Sequence, residues 1–548
     1  MSNNAGYWRK LAIVICYLLI HLSPARAQFG TEQMPINTSP ERSWWNLLHY
    51  DIAITPDFLT KSIEGTNAIT FHAIKPGNVL QIDLITPMEV SAITWKGKSL
   101  TYQHTEDSWL VKFPATIQAN EEQTIIVHFN GHPKEAIKPP WDAGWIFAKD
   151  KKGRPWMSLA CEGTGAAIWL PCKNTLYDEP DNGVAINITV PDTLVGVANG
   201  RLIKTTTDGK GTATYHWLVK NPINGYNICP YIGKYVSWHH DYPGLKSKLD
   251  CDYWVLDYNL AKSKTHFAQI DTFLHCFEEW LGPYPFYDDS YKVVESPMLG
   301  MEHQSGIAYG NDFQNGYIKG NLSGTSWGLN WDFILVHESG HEWFGNSVTA
   351  ASGVDSWIHE GCTKYLETIY TEYLYGKEAG NEYTRGIWKR IKNDAPIIGS
   401  GSSDEYNKGC ALLHMIRQIV GDSIFKMALH DLQRTFYHQT VTTHQVLLCM
   451  NRSCKMDLSR LFAQYLRTVQ VPELQYFFSN KTLHYRWVNC VEGFDMPLKV
   501  SLKGKNSFFI TPGTRWKQRA IASSSGEELI IDENFYVGSK KIAAVESR

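Results

Sequence analysis

The chain has 548 residues, too many for one hydrophobic core, which implies about two to four domains. An apolar fraction of 43% with a charged fraction of 20% excludes a disordered chain, and a formal net charge of −3 gives no argument for nucleic acid or an anionic membrane surface as a partner. Aromatic residues, at 13%, fit both β-domains and a peptide groove, and composition does not separate the two.

In chain order, residues 1–27 read as an export signal. Arg9 and Lys10 precede an apolar run from Leu11 to Leu22, and Ala25-Arg26-Ala27 supplies small residues for cleavage before Gln28. The run is shorter than the roughly twenty residues of a spanning helix, which favours cleavage over a retained anchor. Cys16 follows Ile15 rather than a small residue, which argues against a lipoprotein signal. No later segment is apolar for long enough to span a bilayer, so the expectation is a soluble protein, periplasmic or secreted. Ten of the eleven Cys lie beyond the leader. In an oxidising compartment Cys449 and Cys454 are the nearest pair by sequence; the alternative is a set of buried thiols.

Residues 28–245 are expected to form an N-terminal β-domain. Segments such as His49–Ile54, Val79–Leu84 and Thr124–Phe129 are strand-like and bounded by Pro, Gly or Asn. Over 246–470 the period becomes helical, as in Phe267–Leu281, Trp331–Phe344 and Leu412–Val420. Residues 471–548 return to alternation, as in Leu498–Leu502, and are expected to form a small β-sandwich. The fold class is α+β and multidomain, with no internal repeat.

Chemistry concentrates in His337-Glu338-Ser339-Gly340-His341. Two His four apart on a helix face one ion, and a catalytic zinc needs three protein ligands with one position left open. Such a pentapeptide also arises by chance on buried helices, so a third ligand matters. Glu360 follows His341 after eighteen residues. The interval holds a helix stop at Gly345-Asn346 and start signals at Ser352, Gly353 and Asp355, for a second helix running to about Gly376. Antiparallel helices joined in this way return Glu360 to the two His. Glu338 projects from a neighbouring part of the same helix, where a general base for zinc-bound water belongs. Glu367, two turns beyond Glu360, is either a partner for a ligand His or a solvated helix glutamate.

This arrangement resembles the gluzincin peptidases of the aminopeptidase N type, which include leukotriene-processing hydrolases. Leu299-Gly300-Met301-Glu302-His303 is similar to the family's Gly-x-Met-Glu-Asn exopeptidase motif, and Glu405-Tyr406-Asn407-Lys408-Gly409 to its Tyr-x-Lys-Gly element. Cys161-Glu162-Gly163 looks like the N-domain strand that supplies a second ligand for the substrate amine. The resemblance runs from about residue 40 to the C-terminus. It implies a thermolysin-like catalytic domain and one zinc held by His337, His341 and Glu360, with Glu338 as base. It also implies Gly300, Met301, Glu302 and Glu162 at the substrate, the two carboxylates binding its α-ammonium, and Tyr406 donating to the oxyanion. The implied substrates are peptides with a free N-terminus.

Three departures qualify the match. Leu299 and His303 replace the motif's Gly and Asn, which bears on the shape of the first side-chain pocket. His359 replaces the Asn before the third ligand; adjacent helical residues point about 100 degrees apart, so Glu360 stays the better ligand. The large C-terminal helical domain of many relatives is expected to be absent, which should leave the active site more open. Two other readings remain. One is an endopeptidase or epoxide hydrolase on the same site; Glu302 and Glu162 oppose the endopeptidase, since a continuing chain would meet two unpaired carboxylates. The other is a peptide-binding protein without catalysis, which an intact motif opposes.

Overall fold

The computed structural model describes residues 39–399, 402–521 and 528–543; the leader read over 1–27 lies outside them. Strand alternation organises the first part. Its largest sheet has eight strands, ordered Arg201–Thr207, Thr212–Val219, Val184–Pro191, Trp45–Asp57, Ser62–Ala73, Glu122–Gly131, Met88–Trp95 and Lys98–Ser99. Within it Trp45–Asp57 pairs antiparallel with Ser62–Ala73 and parallel with Val184–Pro191, Ile52 facing Ile186. The buried residues of this region, among them Trp45, Ile52, Phe71, Val127 and Trp169, form a core of their own.

A four-stranded sheet links this domain to the rest. Its order is Val195–Val197, Tyr231–Gly233, Pro155–Ala160 and Gly144–Lys149. A five-stranded sheet follows: Tyr235–Pro243, Lys248–Leu256, Tyr291–Glu295, Ile307–Tyr309 and Gly300–Met301. The division read between residues 245 and 246 falls in the turn of this sheet's first hairpin, where Tyr242 faces Leu249. Both strands of that hairpin underlie the helical region.

The helices are α1 (Leu260–His266), α2 (Ile270–Leu281), α3 (Phe333–Gly340), α4 (Trp357–Tyr375) and α5 (Lys377–Trp388). They continue with α6 (Asp404–Val420), α7 (Asp422–Thr435), α8 (Thr443–Cys454) and α9 (Ser459–Arg467). None among the described residues is long and apolar enough to cross a membrane. Two C-terminal sheets contribute Leu474, Tyr485, Leu498 and Val500 to the same core as α2, α4 and α6.

Ten Cys among the described residues are free thiols, nine of them buried. Cys449 and Cys454 both lie on α8, five positions and so about 140 degrees apart around the helix, which turns their sulfurs away from each other.

Two glycines set how closely the helices of the site approach. A Cβ on Gly409 would lie 2.9 Å from the Gly361 Cα, and one on Gly361 would lie 3.0 Å from the Gly409 Cα. α4 and α6 thus meet backbone to backbone, one residue beyond Glu360 and three beyond Tyr406. Gly409→Ala should cost about 1–3 kcal/mol by overpacking. Gly353→Ala, whose Cβ would meet nothing within 4 Å, should cost far less. Denaturant melts of the two variants beside wild type test the difference.

Candidate active site

α3 begins at Asp332, whose side chain accepts from the Ile334 and Leu335 backbone N–H groups at 2.9 and 3.3 Å. The same carboxylate accepts from Tyr309 Oη at 2.7 Å and pairs with His266 Nε2 at 2.7 Å, so the entry to the helix is fixed from three sides. The helix is shorter than the Trp331–Phe344 expected from periodicity and is capped at His341. Beyond it the chain turns, and the Phe344 carbonyl accepts from His341 Nδ1 at 3.0 Å. Continuing the helix would have committed that carbonyl elsewhere.

α4 runs back along α3 and brings Glu360 to both His. His337 Nε2 and His341 Nε2 are 3.3 Å apart, and Glu360 Oε2 lies 3.4 and 3.5 Å from them. All three residues are buried. His337 Nδ1 donates to Glu367 Oε1 at 2.8 Å, and Glu367 is fixed in turn by Tyr383 Oη at 2.5 Å and Lys364 Nζ at 3.0 Å. With both Nδ1 protons committed, the two Nε2 atoms face Glu360 as lone pairs, and Glu360 Oε2 is a buried acceptor without a hydrogen-bond partner. Three acceptors pointed at one another call for a cation. Tetrahedral zinc with bonds of about 2.0–2.1 Å spaces its ligand atoms about 3.3 Å apart, so the triad fits zinc. His359 points elsewhere, its Nε2 accepting from the Ala350 N–H at 2.7 Å.

The triad opens onto a cleft of about 730 Å³. Glu338 lines it, as do Gly300, Met301, Glu302, Glu162 and Tyr406. Burial pushes the Glu338 carboxyl up to about 7, against the pull of His337 and His341. A Cβ on Gly300 would sit 2.8 Å from Glu338 Oε1, which explains a glycine there. Glu302 has a carboxylate oxygen within 4.8 Å of Glu338 and His341 ligand atoms. It accepts from Tyr226 Oη at 3.1 Å, and its backbone carbonyl accepts from Asn346 Nδ2 at 2.8 Å. Glu162 faces it from the N-terminal domain, and the Glu302 charge holds the Glu162 carboxyl well above the usual carboxylate range. Among the described residues neither Glu forms an ion pair. Tyr406, in the first turn of α6, stacks beside the His337 ring at 6.1 Å between centroids. Desolvation, then the Glu360 charge, push its hydroxyl well above the ordinary tyrosine range and keep it a proton donor.

The structure thus gathers Glu162, Gly300, Met301, Glu302, His337, Glu338, His341, Glu360 and Tyr406 at one cleft, with Glu367 directly behind His337. Of the motif residues beside them, His303 turns away, its Nδ1 paired with Tyr231 Oη at 2.6 Å, and Lys408 donates to the Thr468 carbonyl at 2.7 Å. Sequence reading missed Tyr226, Tyr383 and Asn346, whose partners are distant in sequence, and Lys364, whose i,i+3 spacing to Glu367 was the one available signal.

Residues 272–465 match the model of the peptidase family M1 domain, and residues 46–226 match that of the peptidase M1 N-terminal domain. The chain belongs to peptidase family M1. Among its M1 relatives, Xenopus laevis leukotriene A-4 hydrolase is 23% identical over 447 residues, covering 74% of this chain and 68% of the hydrolase. Human endoplasmic reticulum aminopeptidase 1 is 21% identical over 463 residues, covering 77% of this chain but 48% of the relative. The crystal structure of an M1 zinc metallopeptidase variant from Deinococcus radiodurans superposes with a TM-score of 0.67 at 21% identity, covering 78% and 94% of the two chains. The M1 fold and its zinc-binding triad are therefore both present.

His337→Ala, His341→Ala and Glu360→Ala should each leave substoichiometric zinc by elemental analysis. Glu338→Gln should retain zinc while turnover falls about 10²- to 10⁴-fold. As the base must be ionised, kcat/KM should fall as pH drops through the Glu338 pKa. A bound dication pulls that value below the 7 set by burial, placing the limb between it and the ordinary glutamate value of about 4.3.

Proposed function

We propose that this protein is an exported zinc aminopeptidase that hydrolyses the N-terminal residue from peptides. The observation that carries the reading is the pair Glu162 and Glu302, drawn from two domains and, among the described residues, without a basic ion-pair partner beside the metal triad. The Glu302 charge raises the proton affinity of Glu162, and a substrate ammonium between the two carboxylates would relieve that repulsion. An internal peptide segment brings no such charge. The M1 zinc metallopeptidase structure from Deinococcus radiodurans holds Tyr-Ser-Ala, and two-domain M1 zinc metallopeptidase structures hold L-tryptophan or L-arginine, ligands that agree with this reading.

Glu162, Glu302 and Tyr226 grip the amine and set the register, so that the first peptide bond lies by Glu338. Zinc held by His337, His341 and Glu360 would supply Lewis acidity to the attacking water and the scissile carbonyl. Glu338 takes a proton from the water and passes it to the leaving amine. Tyr406 donates to the oxygen that gains charge as the carbonyl is attacked. Lys364, Tyr383 and Glu367 act behind His337, holding its ring and tautomer.

Export rests on Arg9, Lys10, the run Leu11 to Leu22 and the small residues at Ala25 and Ala27. N-terminal sequencing of the protein recovered outside the cytoplasm should begin at Gln28; a start at Met1 would reject this part of the reading.

Aminoacyl fluorogenic substrates should be cleaved when their amine is free, resist cleavage when N-acetylated, and lose turnover with a zinc chelator. Glu302→Ala should raise KM and lower kcat for the free-amine substrates. Efficient cleavage of an N-blocked peptide by wild type would reject the aminopeptidase reading. Tyr406→Phe, which removes one oxygen, should lower kcat roughly a hundredfold, about 3 kcal/mol, with zinc content and melting temperature unchanged. A loss below about tenfold would return Tyr406 to a packing role.

A further inference from the structure

The ammonium-binding pair is split between domains. Glu162 follows the strand Pro155–Ala160 of the four-stranded sheet, whereas Glu302 follows Gly300–Met301 of the five-stranded sheet. Something must set one against the other. The loop 302–306 is where the two sheets are joined, through the N-terminal turn Ala198-Asn199-Gly200 that follows the strand Val195–Val197.

At the centre of that junction is Lys292, on the strand Tyr291–Glu295 and 1% exposed. Its ammonium donates to Ala198 O at 3.1 Å, to Ser305 O at 3.1 Å and to Gly200 O, and it lies 4.6 Å from the centroid of a Trp217 ring. No carboxylate among the described residues forms an ion pair with it. A buried cation answered by carbonyl dipoles and an aromatic face is costly unless every donor is used, and here three carbonyls from two domains use them. Asn199 adds to the same junction. Its Nδ2 donates to Gln304 O at 2.6 Å and Asn227 O at 2.9 Å, and its Oδ1 accepts from Cys229 N at 2.8 Å. The Gly200 N–H donates to Ser305 Oγ at 2.9 Å. Ser305 has φ +49, a left-handed conformation uncommon for a residue with a side chain.

The junction leads directly to both carboxylates. Ser305 is three residues from Glu302. Asn227, held by Asn199, donates through its own Nδ2 to Asn346 Oδ1 at 2.7 Å, and Asn346 holds the Glu302 carbonyl. The next residue back is Tyr226, whose hydroxyl meets the Glu302 carboxylate and whose carbonyl accepts from the Cys161 thiol at 3.2 Å, adjoining Glu162.

We propose that Lys292 is a positioning residue for the amine subsite: by tying Ala198 and Gly200 to Ser305 it sets the distance between Glu302 and the Glu162–Tyr226 side of the cleft. Lys292 touches neither substrate nor metal in this arrangement. The inference rests on the aminopeptidase reading of Glu162 and Glu302.

Two inhibitors that differ only in the amine test it: L-leucine hydroxamate and 4-methylpentanohydroxamic acid, measured against a free-amine fluorogenic substrate. Wild type should bind the amine-bearing compound more tightly; equal binding would overturn the aminopeptidase reading itself. In Lys292→Met the amine-bearing compound should weaken about tenfold or more while the des-amino compound changes less than about twofold, with zinc content retained. Equal loss for both compounds, or an unchanged ratio, would overturn the positioning role while leaving the aminopeptidase reading intact. Should Lys292→Met fail to fold, Ser305→Gly decides. It relieves the left-handed residue and removes the hydroxymethyl side chain whose oxygen holds Gly200, so it should fold, keep zinc and shift the ratio in the same direction; an unchanged ratio there would overturn the proposal.

Discussion

Three lone-pair atoms, on His337, His341 and Glu360, are held 3.3 to 3.5 Å apart in a buried place with no proton to share among them. As deprotonated ligands they repel one another, so the surrounding fold has to hold them together. It does so from behind. Glu367, Tyr383 and Lys364 hold one ring, the Phe344 carbonyl holds the other, and the Gly361–Gly409 contact keeps α4 against α6. Much of the helical region scaffolds this one unfavourable geometry, which a bound dication would turn into a favourable one.

A second repulsion lies beside the first. Glu162 and Glu302 line one cleft and, among the described residues, have no basic ion-pair partner. The two clusters differ in how they are relieved. The triad is closed behind by neutral and paired groups and suits a resident ion. The carboxylate pair faces an open cleft and suits a charge that arrives and leaves with each turnover. Electrostatic frustration is thus sorted by depth: permanent charge inside, exchangeable charge at the wall.

Much of this was legible in the sequence because the relevant contacts are short-range or rest on periodicity. His337 and His341 are one turn apart, Glu367 follows Glu360 by two turns, and a stop and a start between helices return the third ligand. What escaped depends on long-range packing. Tyr226 meets Glu302 across 76 positions, and neither carries a pattern that announces the other. The end of α3 at His341 was set by a side chain seeking the Phe344 carbonyl, a local competition that helical periodicity does not register. The hairpin Tyr235–Pro243 and Lys248–Leu256 alternates like the strands before it, so its membership in the next sheet was invisible. The proximity of Cys449 and Cys454 in sequence gave no guide to pairing once both fell on one helix.

The C-terminal strands share one apolar core with α2, α4 and α6, whereas the N-terminal β-domain has its own. Stability is therefore linked unequally along the chain. Ligand binding stabilises whatever must be folded for the site to exist, by an amount that grows with the logarithm of free ligand over its dissociation constant. For the metal site, that unit includes strands such as Glu473–Ser479 and Leu498–Leu502, which touch no ligand and lie more than a hundred residues downstream of Glu360. Occupancy of the triad should thus be felt as slowed amide exchange in the strands Glu473–Ser479 and Leu498–Leu502.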